Sequence, residues 1–98
     1  MKEEKIQLLH PGGKKAVRMS TEKYETLRKA IIECLTKKGA LTHTELLQSV
    51  NEYLLQKKIK FDGSVEWYME SVKLHLEANK LIHRLKSKSL LKFQIINK

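Results

Sequence analysis

The chain has 98 residues, 41% hydrophobic and 32% charged, which suits one domain with a modest core and is too apolar for a disordered chain. Twenty Lys+Arg face eleven Asp+Glu, a net charge of +9, so polyanions are the favoured partners, since each neutralised phosphate releases counterions. No run of about 18 apolar residues argues for a membrane span, and the lone Cys34 excludes an internal disulfide and points to a cytoplasmic location.

Residues 1–19 read as an N-terminal arm. Met1-Lys2-Glu3-Glu4-Lys5 and the brief apolar patch after it are not expected to form a signal peptide. Ile6-Gln7-Leu8-Leu9 and Ala16-Val17-Arg18-Met19 flank His10-Pro11-Gly12-Gly13-Lys14-Lys15, where Pro-Gly favours a tight turn. The arm is therefore either a basic tail or a small β-hairpin, and a hairpin must pack on something to be stable. Ile6, Leu8, Leu9 and Val17 are expected to pack on the domain or on a second copy.

Residues 20–98 form the domain proper. The first helix is predicted from Thr21 to Lys37, with Ser20 as N-cap, Tyr24, Leu27, Ile31, Cys34 and Leu35 at helical spacing, and Gly39 as the stop. Ala40-Leu41 leaves room for a residue or two of strand. The second helix opens at Thr42-His43-Thr44-Glu45, a capping box, buries Leu46, Leu47, Val50, Tyr53 and Leu54, and ends near Lys57-Lys58. Ile59 and Phe61 anchor a loop that closes at Asp62-Gly63.

The third helix runs from its cap, Ser64, to Asn79. Val65, Met69, Val72 and Leu76 form the inward stripe, and Glu66, Glu70, Lys73 and Glu77 the outward face. Trp67 and Tyr68 point about 100° apart. Core burial of both rings is favoured over one left exposed. Leu81, His83 and Leu85 then alternate with Ile82, Arg84 and Lys86, and Leu91, Phe93 and Ile95 with Lys92, Gln94 and Ile96, as two strands joined by a basic tip. Leu76, Leu81 and Phe93 are expected to be buried together. The class is α+β: three helices and a C-terminal two- or three-stranded antiparallel sheet.

Little here suggests catalysis. His10, His43, His75 and His83 are scattered without metal-ligand spacing, so neither a metal nor a cofactor is expected. His75 reads as an exposed helix residue, His83 as half-buried, and Cys34 as a small core side chain. Pro11-Gly12-Gly13-Lys14-Lys15 lacks the spacing of a phosphate loop. No enzyme activity is expected. Charge, by contrast, is segregated: residues 5–21 and 78–98 carry bases and no acid.

Leu41-Thr42-His43-Thr44-Glu45-Leu46-Leu47, and Val72 through Arg84 passing from helix directly into strand, carry a resemblance. Over about Ser20 to Ile96 the chain resembles the winged helix-turn-helix superfamily. Asn79-Lys80 stands where many of its members have glycine, and Asn79 is read as the left-handed cap. On His10-Pro11-Gly12 and Phe61-Asp62-Gly63-Ser64-Val65-Glu66-Trp67-Tyr68-Met69, the whole chain also looks like a small, functionally uncharacterised family of bacterial winged-helix proteins.

The resemblance implies DNA binding, with helix 3 in a recognition role, as in a small transcriptional regulator. Double-stranded DNA is the implied partner, and a homodimer would suit a palindromic site. Glu66, Glu70 and Glu77 would repel phosphates, with only Lys73 to offset them, so a wing-led or backbone-led contact fits better than base reading. The candidate nucleic-acid-binding residues are Lys14, Lys15 and Arg18 in the arm, Lys57, Lys58 and Lys60 before helix 3, Lys73 on it, and Arg84, Lys86 and Lys88 in the wing. The alternative is a protein-interaction module that uses the acidic helix 3 face.

Overall fold

The computed structural model describes residues 5–9, 15–87 and 90–96. They form three helices and two antiparallel sheets: β1 (Lys5–Leu9), β2 (Lys15–Ser20), α1 (Thr21–Lys38), β3 (Leu41–Thr42), α2 (His43–Gln56), α3 (Val65–Ala78), β4 (Ile82–Ser87) and β5 (Leu90–Ile95). The fold is α+β, as expected.

Each helix starts where a short polar side chain satisfies a free backbone N–H. Ser20 accepts from Lys23 N–H and Ser64 from Trp67 N–H, both at 3.2 Å. At Thr42 the capping box is complete: its hydroxyl accepts from Glu45 N–H at 3.2 Å, and the Glu45 carboxylate accepts from Thr42 N–H at 2.9 Å. The Thr42 N–H, and after it the Thr42 side chain, hold the Glu45 carboxyl below its ordinary pKa. α1 stops at Gly39: its N–H still reaches Leu35 O at 2.9 Å, and its φ of 79° then turns the chain out of the helix.

α2 and α3 stop in another way, and both in the same way. After α2, Lys58 N–H donates to Leu55 O and Ile59 N–H to Leu54 O; after α3, Lys80 N–H donates to Glu77 O and Leu81 N–H to Leu76 O. Both are Schellman closures, which need one residue in the left-handed conformation. In each that residue is a lysine, Lys58 at φ 54° and Lys80 at φ 61°. The expectation that Asn79 takes this role is corrected, because Asn79 keeps φ −88°.

That closure also corrects the strand phase. Leu81 is drawn into the α3 cap, so β4 begins one residue later. Ile82 is then the residue that faces the helices, at 1% exposure, while Leu81 stands 43% exposed. Leu76 and Phe93 are buried as expected, and Leu81 is not. The three-stranded sheet runs β3-β5-β4, with Leu41 and Arg84 both opposite Phe93 and Ile82 opposite Ile95. Opposed residues share a face, so Leu41, Phe93, Arg84, Ile82 and Ile95 all look toward the helices.

The N-terminal stretch is a hairpin. β1 pairs with β2 from Lys5↔Ser20 to Leu9↔Lys15 and packs on α1 and α3. Leu8 and Met19 enter the common core with Leu27, Ile31, Leu46, Val50, Met69, Val72 and Leu76. The side chains of Ile6, Leu9 and Val17 lie outside the described residues. Among the described residues no helix is long and apolar enough to cross a membrane.

Candidate functional site

The outward edge of α3 carries Glu66, Glu70 and Glu77, and each has a cationic or imidazole partner from a neighbouring element or turn. His43, the first residue of α2, brings Nε2 to 3.1 Å from Glu66 and Nδ1 to 3.3 Å from Glu70. Lys73 Nζ lies 3.0 Å from Glu70 and 3.0 Å from His43 Nδ1. Arg84, in β4, meets Glu77 at 2.8 Å. An ammonium can only donate, so with Lys73 charged, His43 Nδ1 accepts from it and Nε2–H points at Glu66.

Lys73 is therefore not an outward residue, and that expectation is corrected. It is 2% exposed and its ammonium lies 4.0 Å from the centroid of the Phe93 ring. Its place at the border between the helix's inward and outward arcs lets the long stem sink against the sheet while the head finds partners. Burial lowers the Lys73 pKa from its ordinary value, and the hydrogen bond to Glu70 partly restores it. Arg84 also approaches Phe93, at 5.8 Å. The structure thus brings Lys73 and Arg84 together over one ring and engages both with α3 glutamates.

The remaining candidates are arranged differently. Lys57, Lys58 and Lys60 lie exposed between α2 and α3, and Lys86 is exposed on β4 near the tip. None of these four forms an ion pair with a carboxylate among the described residues; Lys57 approaches the Tyr53 ring, at 5.9 Å, and its charge contributes to lowering the Glu33 carboxyl pKa. Lys15 and Arg18 belong to β2, but their side chains lie outside the described residues, as do Lys14 and Lys88 altogether.

Four features escaped the reading of the sequence. Trp67, expected in the core, is 52% exposed. It stands at the end of a chain of edge-to-face rings, 4.8 Å from Tyr68, which is 5.5 Å from Phe61 in the α2–α3 loop. Lys23 of α1 lies 4.6 Å from the Tyr68 ring centroid. Exposed Lys80 caps α3. His75, expected exposed, is buried edge-to-face against Tyr24 at 5.2 Å. Burial lowers its pKa, and Asn79 Nδ2 stands 3.2 Å from its Nε2. Adjacent aromatics and an isolated histidine leave these outcomes to whatever packs beside α3.

Cys34 is buried as expected, and burial pushes its thiol up, away from nucleophilic reactivity. It borders an open groove of about 250 Å³ between α1 and α2, whose rim mixes Glu33 and Glu52 with Lys37 and Lys38. Among the described residues no three His, Cys, Asp or Glu side chains come together as a metal site.

Comparison with known proteins gives no match among curated proteins and none among solved structures. A family model, described as "Family of unknown function (DUF6958)", matches residues 5–93, from the hairpin through Phe93. The chain belongs to that family.

Proposed function

We propose that this protein is a winged-helix-like DNA-binding module, without catalytic activity, that grips duplex phosphates through its loop and wing lysines. The order α1, β3, α2, α3, β4, β5, with β5 between β3 and β4, supports the winged-helix reading of the fold. In that reading β4–β5 is the wing and the unpaired Cys34 fits a cytoplasmic setting.

The observation that carries the function is the separation of engaged from free cations. The bases nearest α3, Lys73 and Arg84, neutralise its own glutamates. Lys57, Lys58, Lys60, Lys80 and Lys86 are exposed and form no ion pair with a carboxylate among the described residues. Free surface lysines on a chain of net charge +9 suit a backbone-led contact with little sequence preference. A helix 3 whose outward edge is acidic does not suit base reading.

Fluorescence anisotropy with a random-sequence duplex tests this. Affinity should fall steeply from low to moderate salt, with a log–log slope of about −0.9 per phosphate neutralised. No binding at low salt would remove the reading. A second reading, a protein-interaction module, is favoured by one observation. On α3 Trp67 is exposed and Leu74, seven residues on, partly so, and Leu81 is exposed just beyond the helix end. It predicts that Trp67→Ala leaves duplex binding intact and abolishes capture of a protein partner.

A further inference from the structure

Where a large aromatic ring is exposed, its surroundings indicate what it meets. Trp67 is 52% exposed, yet it is not loose. Its indole meets the Tyr68 ring at 90°, Tyr68 meets Phe61 at 76°, and Phe61 lies in the segment that carries Lys57, Lys58 and Lys60. Gly63 fits against Tyr68 so closely that a Cβ there would come within 2.8 Å of the ring. Lys23 reaches the same rings from α1, at 4.6 Å from Tyr68 and 5.7 Å from Phe61. The nearest acid in sequence, Glu66, is turned to His43. A helix points residues 66 and 67 about 100° apart.

Asp62 follows Phe61 in the same loop, and the ring chain links the indole to the segment of exposed lysines. A rigidly backed indole joined in this way to a lysine-bearing loop suits stacking of an unpaired base while cations hold its phosphates. We infer that the Trp67 corner is a stacking platform for single-stranded nucleic acid, with Lys57, Lys58 and Lys60 along the backbone of the strand. The inference rests on the nucleic-acid reading above and adds a second mode to it: duplex on lysines alone, single strand on lysines and Trp67. Stacking needs only a π-face, so the platform is tolerant of sequence and takes DNA or RNA.

Trp67 is the only tryptophan, so its emission reports directly on the site. The experiment titrates the full chain at low salt with thymidine and uridine homo-oligomers of about twelve nucleotides, and with a duplex as control. Binding of the single strand should quench the emission. Trp67→Ala should weaken single-strand binding about tenfold, Trp67→Phe less, and neither should change duplex affinity. Single strands that bind without altering the emission or depending on Trp67 would overturn the inference, as would failure to bind single strands where duplex binds. If neither nucleic acid binds, the nucleic-acid reading falls and the platform with it. Thermal melting of Trp67→Ala confirms that any loss is not unfolding.

Discussion

The α3 edge and the loop that precedes it both carry several charges within a few residues, and they use them in opposite ways. On α3, Glu66, Glu70 and Glu77 are met by His43, Lys73 and Arg84, and Lys73 is sunk beneath the surface. In the loop, Lys57, Lys58 and Lys60 face solvent with no carboxylate partner among the described residues. The first arrangement ties α2, α3 and β4–β5 to one another. The second leaves charge available for something else. Counting bases along the sequence treats the two alike, and only the pairing separates an internal strut from an external contact.

The largest effect tests the frame that holds both regions. Leu76→Ala should cost roughly 2–5 kcal/mol, the range for a buried leucine, and Leu81→Ala under about 1 kcal/mol. Chemical denaturation decides this, and comparable losses at the two positions would contradict the strand phase. Next, Lys73→Ala should destabilise by about 2 kcal/mol, through lost packing of its stem and its cation–π contact. The triple change of Lys57, Lys58 and Lys60 to Ala should leave the denaturation midpoint nearly unchanged and weaken duplex binding, with a shallower salt slope. If Lys73→Ala lowers affinity more than the loop changes do, the division between strut and contact fails.

The cap that closes α2 in that loop recurs at the end of α3. A left-handed lysine costs more than a left-handed glycine, so Lys58→Gly and Lys80→Gly should each stabilise by about 0.5–1 kcal/mol in thermal or chemical melts. The gain should come with weaker phosphate contact, a trade of stability against binding. The smallest effect concerns His75. Its folded pKa lies below its unfolded one because burial disfavours the charged form. The unfolded chain therefore takes up its proton first as pH falls. Stability should decline as pH drops from neutral through about 6.5, the ordinary histidine value, towards the lower folded value. His75→Gln should flatten that part of the profile, and an unchanged profile would place the titration elsewhere.

What could be read from the sequence was local. Ser20, Thr42 with Glu45, Ser64 and Gly39 announce helix ends through bonds that span a few residues, and all four act as expected. The phase of β4 was not local. Leu81 and Ile82 are adjacent and both apolar, so alternation alone cannot choose between them. The choice falls to the cap, which needs one residue more than Asn79. Lys73 sits where the helix turns from inside to outside, and the position of Phe93, twenty residues on, decides its side. Trp67 and His75 depend on which flank of α3 is covered, and that is set by α1 and the hairpin. The candidate lysines were legible as charge; their pairing was not, because pairing is a tertiary fact.

The junction at Ser20 has one more consequence. The same residue ends β2 and caps α1, so no linker separates hairpin from helix. Exchange of an element between two copies of a chain generally needs a hinge that can open and re-close around a neighbour. Here the hinge position is occupied by a hydrogen-bonded cap, and Met19, one residue earlier, is anchored in the core. Opening it would cost the start of α1 as well as the hairpin. Two copies that came together would therefore each keep their own N-terminal strands, and could separate again without unfolding.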